Sequence, residues 1–467
     1  MSAPASSKLL LNPRNPGWAA YIEAQDRLES RIAPWSPNPS SRATIQNRAR
    51  HRLDRLRGLL PKMGNPQRGL PVVHITGTSG KGSTAVAIAA LLQGAGLRVG
   101  LATSPYLQVA TEKLQIDGSL VSGDDLLDAV MAVELAEASW SAHTGEPRLT
   151  YAEAWVAVTL HVLATAKVDV AVVEVGAGGR FDATNVVEPV ACVITNIGID
   201  HLESLGPTLR DIAWHKAGIL KPGAVAVTGE RRPDTLAIIT DEATAVGVEL
   251  RVVEAPRDSG DIGLAPHLRA NRAIALAAVA GLADSGCVDP TRIDARVLEG
   301  ARLPGRFEPM PEPNDRAVVL DGAHNPDKVA ALMDEVELWR GVNHLPPPVV
   351  VAGALAAKDA RGLAPALLAG EALVATTAST TAKPGIPAAA IACEARLHGF
   401  RGSVAVAPEP GDAMATALDL ADKLGTWVLG TGSLYLVGSL RRRWYSDRSI
   451  VEWQTPWPRL EGKQGDR

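Results

Sequence analysis

The stretch at residues 72–84 constrains the fold of this chain more than any other sequence feature. It reads VVHITGTSGKGST: a short apolar, β-branched run enters a glycine-rich turn with a lysine and two hydroxyls, and an apolar helical run follows at 85–92. Strand, glycine turn and helix in succession predict a turn whose backbone N–H groups surround phosphate oxygens at a helix N-terminus. We call residues 77–83 the phosphate loop. The alternative is an ordinary glycine turn between a strand and a helix.

The spacing of the phosphate loop is Gly77-x-x-Gly80-Lys81-Gly82-Ser83, which departs from the general G-x-x-x-x-G-K-[ST] pattern. In that pattern the lysine contacts the β- and γ-phosphates, and the hydroxyl after it binds Mg²⁺. Here we assign the lysine role to Lys81 and the metal-binding hydroxyl to Ser83. The predicted ATP-binding residues of this segment are Thr78, Gly80, Lys81, Gly82, Ser83 and Thr84.

Length and composition limit the class of protein. A chain of 467 residues is too long for one ordinary core and predicts two domains. The net charge of −4 gives no reason to expect nucleic-acid binding, and no apolar run reaches the length that spans a bilayer. Three widely spaced cysteines, Cys192, Cys287 and Cys393, fit reduced thiols in the cytoplasm. We therefore expect a cytoplasmic protein that binds neither nucleic acid nor a membrane.

Polar side chains follow three predicted strands, at 98–102, 168–175 and 191–195. These side chains are Ser104, Glu174 and His201. The carboxyl ends of parallel strands share one edge of a sheet, so we expect the three to lie near the phosphate loop. A buried carboxylate such as Glu174 is costly unless it is paired or bound to a cation. Two alternatives stay open: Ser104 as a turn residue before proline, and His201 as a packed or solvent-facing side chain.

The rest of the chain alternates between strands and helices, which indicates an α/β fold with a second α/β unit after a linker at 304–306. The arginine-rich helix at 42–60 either presents a solvated face or lines a substrate pocket. Lys216 lies among apolar neighbours in a helix at 211–220, where it either snorkels to solvent or has a function. The segment after Ser446 is polar, and we predict that it is frayed. Further strands are predicted at 317–320, 349–351, 373–376, 404–406 and 427–430, and further helices at 18–31, 124–138, 150–166 and 267–282.

Eight short motifs occur in a fixed order: HITGTSGKGS at 74–83, TSP at 103–105, EVGAGGRFDATN at 174–185, DH at 200–201, KAGI at 216–219, GRFE at 305–308, DGAHNP at 321–326 and GSLY at 432–435. Together they resemble the motif series of the folylpolyglutamate synthase/dihydrofolate synthase group of the Mur ligase superfamily. The resemblance implies a P-loop Mur-ligase-type central ATPase domain followed by a smaller Rossmann-like α/β C-terminal domain. The implied division is an irregular N-terminal arm at 1–41, the ATP-binding central domain at 42–303, the glutamate-ligase domain at 304–450 and a tail at 451–467.

The resemblance also implies an ATP-dependent ligase that activates a substrate carboxylate as an acyl phosphate and joins it to L-glutamate. The implied acceptor is dihydropteroate or a reduced folate, and the implied protein is a monomer that uses ATP and two Mg²⁺ ions. Lys216 matches the lysine that this superfamily carboxylates at Nζ. By motif, the catalytic residues are Lys81, Glu174, His201 and Lys216, and the metal ligands are Ser83, Ser104, Glu174, His201 and Lys216. Asn271, Arg306 and Asp321 match nucleotide-binding positions. The implied substrate-binding residues are Thr150, Tyr151, Glu153, Phe181, Asp182, Ala183, His324 and Ser433.

Three positions depart from the usual family pattern: Ser79 replaces an asparagine, Tyr106 a histidine and Ala152 a common aromatic. Other interpretations stay open, namely a relative acting on a non-folate carboxylate, a P-loop NTPase or kinase, and an inactive nucleotide-binding module. A peptidoglycan-type Mur ligase would place a separate domain ahead of the phosphate loop, whereas 76 residues precede Gly77 here. Glutamate-dependent turnover separates the ligases from an ATPase switch.

Overall fold

A computed structural model describes residues 17–33, 42–200, 202–254, 264–312, 317–356, 360–378, 380 and 384–459. The predicted ligand His201 lies outside the described residues, as do most of the predicted N-terminal arm and residues 258–263, whose polar sequence predicts a loop. Within the described ranges the chain forms two sheets with helices packed on them, which confirms the predicted α/β class.

The first sheet has eight strands, and its centre is built from the apolar runs that the sequence marks as buried. All residues of the strands beginning at Val72 and Val170 are buried, as expected for parallel strands covered on both faces. The strands are β1 Val72–Thr76, β2 Val99–Ala102, β3 Leu114–Ile116, β4 Ser119–Leu120, β5 Val170–Glu174, β6 Pro189–Ile194, β7 Val225–Thr228 and β8 Leu250–Val252. Their order is β4-β3-β2-β5-β1-β6-β7-β8; β3 pairs antiparallel with both β2 and β4, and all other neighbouring strands pair in parallel.

The helices of this first part begin where the sequence supplies caps. Ser122 accepts a hydrogen bond from the N–H of Asp125 at 3.0 Å, and Thr208 caps a later helix in the same way. The helices are α1 Gly17–Glu29, α2 Arg42–Leu59, α3 Lys81–Gly94, α4 Gly123–Thr144, α5 Tyr151–Thr165, α6 Leu202–Leu205, α7 Leu209–Ala217, α8 Pro233–Val246 and α9 Pro266–Asp284. Short 3₁₀ turns lie at Leu60–Met63, Ala110–Lys113, Ala183–Val186, Pro290–Arg292 and Ala295–Glu299.

The second sheet has six strands, and only its edge strand β9 runs antiparallel. Its strands are β9 Glu308–Met310, β10 Val318–Asp321, β11 Val349–Ala352, β12 Ala372–Ala375, β13 Ser403–Val406 and β14 Val428–Thr431, in the order β13-β12-β11-β14-β10-β9. Its helices are α10 Pro326–Asn343, α11 Ala364–Leu368, α12 Ala388–Leu397, α13 Pro410–Leu424, α14 Leu434–Arg441 and α15 Asp447–Trp453, with a 3₁₀ turn at Ala360–Leu363. No helix in the described ranges has the length and hydrophobicity needed to cross a membrane.

The prediction of a frayed segment after Ser446 is wrong for residues 447–459, and residues 460–467 lie outside the described residues. Ser446 caps α15, and Ile450 and Val451 of that helix are buried. The O atom of Gln454 accepts a hydrogen bond from the N–H of Leu120 at 2.8 Å, so the segment is tied to the edge of the first sheet. The polar sequence hid this because the helix buries only a narrow apolar stripe. The domain boundary at 303/304 stays a prediction; it falls between the end of β8 and the start of β9.

A set of polar side chains links the two sheets; we call Gln108, Glu308, Arg441 and Trp457 the interdomain node, of which the first three are buried and Trp457 is exposed. The Nε of Arg441 donates to both carboxylate oxygens of Glu308 at 3.0 Å, and its Nη1 donates to Oε1 of Gln108 at 2.7 Å. The indole N–H of Trp457 donates to Glu308 at 2.7 Å. Arg441 is fully buried. The node fixes the C-terminal segment and the second sheet against the loop that follows β2.

Candidate active site

A cleft of about 2240 Å³ lies where the two sheets face each other. Most of the residues predicted for nucleotide, metal and glutamate binding line it, namely Thr78, Gly80, Lys81, Gly82, Ser83, Ser104, Glu174, Asn271, Arg306, Asp321, His324 and Ser433. Thr84 and Lys216 lie behind the phosphate loop and are buried. The topology therefore gathers residues from both halves of the chain around one space.

The phosphate loop has the backbone shape that its glycines allow. Gly80 has a φ of +79°, and a Cβ at this position would lie 2.3 Å from Oδ1 of Asn271. The side-chain oxygen of Asn196 accepts hydrogen bonds from the N–H groups of Thr78 at 3.1 Å and Ser79 at 2.9 Å. The loop is therefore held by the tip of β6 on one side and approached by α9 on the other. This close approach places the predicted base-binding Asn271 directly beside the loop.

Glu174 ends β5 under the phosphate loop, in a buried position. One carboxylate oxygen lies 3.8 Å from Nζ of Lys81, and the other accepts the N–H of Ser104 at 2.9 Å. Burial raises the pKa of this carboxyl, while Lys81, the Ser104 N–H and Arg306 oppose the rise. The structure thus brings Lys81, Ser104 and Glu174 together as the strand topology predicted. The interactions with these partners therefore only partly offset the free energy cost of burying the carboxylate charge.

The oxygens at this point suit a hard divalent cation. Ser83 and Ser104 carry hydroxyls, Glu174 carries a carboxylate, and Mg²⁺ prefers such ligands together with phosphate oxygens and water. In the part of the chain that the structure describes, no group of three or more His, Cys, Asp or Glu side chains forms a self-sufficient metal site. The donor set fits a Mg²⁺ ion that shares its coordination with a bound phosphate, rather than an ion held by protein ligands alone.

Lys216 reaches the phosphate loop from below. Its Nζ donates to the carbonyl oxygen of Gly77 at 2.8 Å, and the residue is 3% exposed. Burial lowers the pKa of this amine to about 7, and the nearby Lys81 adds to the effect. The side chain therefore does not snorkel to solvent, which removes that alternative from the sequence analysis. A buried amine that is partly neutral near pH 7 can react as a nucleophile.

The second half of the chain contributes the opposite wall of the cleft. Asp321 ends β10 and accepts the N–H groups of Phe307 at 2.9 Å and Ala323 at 2.8 Å. Burial raises the pKa of this carboxyl, whereas the neighbouring Arg306 opposes the rise. Ser433 caps α14 and is 3% exposed. Arg306 precedes the antiparallel strand β9, Asp321 ends β10 and Ser433 follows β14, so all three lie at one edge of the second sheet.

His324 lies at the start of α10 within reach of polar groups. Its Nδ1 lies 2.7 Å from the carbonyl oxygen of Gly322, which identifies this nitrogen as the donor. Its Nε2 lies 3.2 Å from Nζ of Lys328. An imidazole next to an ammonium in the cleft is placed to meet an anionic group of a ligand.

The predicted pterin-side residues lie outside this cleft, and some of them stabilise local structure. Glu153 is buried and accepts the N–H and hydroxyl of Thr150 at 2.7 and 2.6 Å, which caps the start of α5. Arg55 lies 3.7 Å from the same carboxylate. Tyr151, between Thr150 and Glu153, packs edge-on against Trp155 with ring centroids 6.3 Å apart. Thr150 and Glu153 therefore form a capping box that positions Tyr151.

Phe181 lies beneath α2 rather than in the open cleft. The guanidinium of Arg50 stacks 4.6 Å above its ring, and Trp214 and His215 meet it edge-on. Arg55 of the same helix is buried and donates to the carbonyl of Arg148 at 2.9 Å. The arginines of α2 thus include members with defined partners, so the helix is not a uniformly solvated face.

Asp182 and Ala183 lie in the turn that follows the glycine-rich run after β5. Asp182 accepts the N–H groups of Ala177 and Thr184 at 3.0 Å each and the hydroxyl of Thr184 at 2.6 Å. This places Asp182 as the cap of the 3₁₀ turn Ala183–Val186. Its carboxylate fixes the loop next to Glu174.

Sequence reasoning missed one ionisable residue near this region, Lys113. It ends the 3₁₀ turn Ala110–Lys113, and its Nζ lies 4.3 Å from the ring centroid of Trp155 and 5.5 Å from that of Tyr151. Burial lowers the pKa of its amine to about 8, against the opposing charges of Glu174 and Asp182. Lys113 carries no signal in the sequence, because its importance comes from neighbours that are distant along the chain.

Comparison with protein families matches two models to this chain. Residues 75–243 match the Mur ligase middle domain, and residues 305–434 match the Mur ligase glutamate ligase domain. The first match contains the phosphate loop, Glu174 and Lys216, and the second contains Arg306, Asp321, His324 and Ser433. The two matches thus coincide with the two walls of the cleft.

Individual relatives point in the same direction. The folylpolyglutamate synthase of Lacticaseibacillus casei is 32% identical over 416 residues, which cover 83% of this chain and 93% of that protein. A probable bifunctional folylpolyglutamate synthase/dihydropteroate synthase of Haloferax volcanii is 36% identical, and this chain spans about half (48%) of its length. The solved Mycobacterium tuberculosis folylpolyglutamate synthase complexed with ADP and AMPPCP superposes with a TM-score of 0.77 at 28% identity, covering 91% of this chain and 98% of that one.

Proposed function

Because the chain belongs to the folylpolyglutamate synthase family of Mur ligases, we propose that it is an ATP-dependent ligase that joins L-glutamate to a folate-type carboxylate. The observation that carries the proposal is the shared cleft. It places the phosphate loop and Glu174 of one sheet opposite Arg306, Asp321 and His324 of the other. A ligase needs both walls, because a nucleotide and an amine must reach the same carboxylate.

The chemistry proceeds in two steps that balance without another reactant. An oxygen of the acceptor carboxylate attacks the γ-phosphorus of ATP, which gives an acyl phosphate and ADP. The amine of glutamate then attacks the acyl carbon, the amide bond forms, and inorganic phosphate leaves as the amine loses its proton. Lys81 lies on the wall where the terminal phosphates arrive, and its ammonium offsets charge that develops there. Closure of the cleft would keep water from the acyl phosphate.

The metal scheme is part of the proposal. Ser83, Ser104 and Glu174 would hold Mg²⁺, which when bound neutralises phosphate charge and polarises the γ-phosphoryl group. The finer proposal adds a second Mg²⁺, with His201 as a ligand and with Lys216 carboxylated on Nζ. For Lys216 its support is the position of Nζ under the phosphate loop, 2.8 Å from the Gly77 carbonyl oxygen, together with burial that lowers the pKa of this amine to about 7 and so favours the neutral form that reacts with carbon dioxide. As it stands, Lys216 orders the phosphate loop through the Gly77 carbonyl.

The substrate assignments extend the same reasoning. His324 and Ser433 would receive the incoming glutamate, and Asn271, Arg306 and Asp321 would hold the nucleotide. The acceptor would be a reduced folate or dihydropteroate or both, contacted by Tyr151 and by the turn at Phe181, Asp182 and Ala183. We also propose that the protein is a monomer and is located in the cytoplasm.

Phosphate release tests the proposal. Purified protein is incubated with ATP, Mg²⁺ and L-glutamate, together with tetrahydrofolate or with dihydropteroate. We expect release that requires both the acceptor and glutamate, and a kcat for Glu174→Gln about 100- to 1000-fold lower. ATP hydrolysis at the same rate without acceptor and glutamate would instead identify an NTPase. Release with neither pterin, in a protein that turns over another carboxylate, would identify a non-folate ligase.

A further inference from the structure

Lys113 is held in a rigid setting. The preceding residue, Glu112, is buried, and its carboxylate accepts the N–H groups of Leu107 at 2.8 Å and Gln108 at 2.7 Å. This closes the turn that carries Lys113 and fixes where its side chain starts. The ammonium then lies over the rings of Trp155 and Tyr151, so its position is set by packing at both ends.

The two carboxylates near Lys113 have other groups as their direct partners. Glu174 has Lys81 and the N–H of Ser104, and Asp182 has the N–H groups of Ala177 and Thr184. Both attract Lys113 at longer range. Among the described residues, no hydrogen bond or ion pair of its Nζ accompanies the two ring contacts. As a residue, Lys113 is intermediate in solvent exposure, neither fully buried nor fully exposed.

Its place differs from that of the other cations around Glu174. Lys81, Arg306 and Lys328 line the nucleotide cleft. Lys113 is not among the residues that line this cleft; its ammonium lies against the aromatic side chains of α5 and interacts electrostatically with Glu174. An acceptor carboxylate that approaches the γ-phosphate from the side of these aromatic side chains would meet the negative charge of Glu174 first. A cation is needed there to offset the repulsion, and in the described part of the chain Lys113 occupies that place.

We propose that Lys113 binds the reacting carboxylate of the acceptor substrate and aims it at the γ-phosphate, with Trp155 and Tyr151 holding the ammonium from behind. The inference rests on the proposed ligase function and names a residue that completes its acceptor site. A charge-assisted hydrogen bond from Lys113 would hold one carboxylate oxygen and leave the other free to attack phosphorus.

Steady-state kinetics provide the first test. For Lys113→Met with tetrahydrofolate, we expect the acceptor KM to rise about tenfold or more, which corresponds to loss of about 1.4 kcal/mol of binding, while the KM for ATP stays within about twofold. Lys113→Arg keeps the charge and should recover most of the loss. The matched control, Lys62→Met, removes an exposed lysine of the same part of the chain and should leave both constants unchanged. An unchanged acceptor KM in Lys113→Met overturns the proposal.

A ligand analogue makes the test specific to the carboxylate. Equilibrium binding compares tetrahydrofolate with its γ-carboxamide, which keeps the shape but lacks the reacting anion. We expect wild type to prefer the carboxylate about tenfold and Lys113→Met to lose that preference; Lys113→Gln serves if the Met variant does not fold. The same preference in the variants overturns the proposal. A wild type that neither binds nor turns over tetrahydrofolate or dihydropteroate marks failure of the proposed function instead.

Discussion

Two buried charged clusters of this protein differ in how fully their charges are paired. In the interdomain node, Arg441 donates to Glu308 and Gln108, and Trp457 donates to Glu308 as well. Under the phosphate loop, Glu174 has one lysine at 3.8 Å and one backbone N–H, and burial raises its pKa. The node is complete without a ligand, whereas the loop cluster is not. Saturated polar networks specify structure, and undersaturated ones mark sites where a ligand completes the pairing.

Replacing the central cation of the node should produce the largest effect. In Arg441→Met, Glu308 remains buried without its partner, so we expect the free energy of unfolding to fall by about 3–5 kcal/mol. Urea unfolding monitored by tryptophan fluorescence measures this loss. The double variant Arg441→Met/Glu308→Leu removes both charges and should recover much of the stability. A single variant as stable as wild type would contradict the view that the node is structural.

The same type of substitution under the phosphate loop should have the opposite sign. Lys216 is buried and its pKa is lowered to about 7, which means that burial of its ammonium destabilises the folded state. We expect Lys216→Met to raise the free energy of unfolding by about 0.5–2 kcal/mol and to remove most ligase turnover. Chemical unfolding and phosphate release on the same preparation measure the two effects. A destabilised variant that keeps its turnover would show that Lys216 belongs with the structural cluster.

The sequence predicted the loop cluster far better than the node. Short apolar runs indicate parallel strands, and parallel strands place their carboxyl ends on one edge, so the sequence alone predicts that Ser104 and Glu174 lie near the phosphate loop. Helix caps such as Ser122 are local signals, and they predict correctly where a helix begins. These predictions succeed because each depends on a few neighbouring residues or on one rule of topology.

The remaining features depend on contacts between distant segments. Gln108 and Arg441 are 333 residues apart along the chain, and no local pattern marks them as partners. The helix Asp447–Trp453 was mistaken for a frayed tail because its polar sequence hides the two side chains that it buries. Lys113 looks like any lysine of a short turn until Trp155 is placed above it. Thr150 and Glu153 form a helix cap that the sequence analysis did not identify, and their predicted substrate contact stays a prediction.

The smallest effect concerns His74, which lies in β1 just before the phosphate loop. The imidazole is fully buried, its Nε2 lies 2.9 Å from the hydroxyl of Thr184, and burial lowers its pKa to about 3. In the unfolded chain, the His74 imidazole is therefore protonated below about pH 6.5, whereas in the folded chain it stays neutral down to about pH 3. Stability must fall as the pH falls through this window, by about 1.4 kcal/mol per pH unit for this one group.

The variant His74→Gln isolates this contribution, because it removes the titrating ring and leaves the other histidines in place. His215, whose pKa burial lowers to about 4, then supplies the same background slope in both proteins. Between pH 7.5 and 5.5, wild type should lose about 1.4 kcal/mol more than the variant, measured as unfolding free energies in urea. Equal slopes would mean that the strand leading into the phosphate loop tolerates a charged imidazole. In that case β1, like the interdomain node, would offset the free energy cost of a buried charge. The difference in charge pairing between the node and the phosphate-loop cluster would then rest on Glu174 and Lys216 alone.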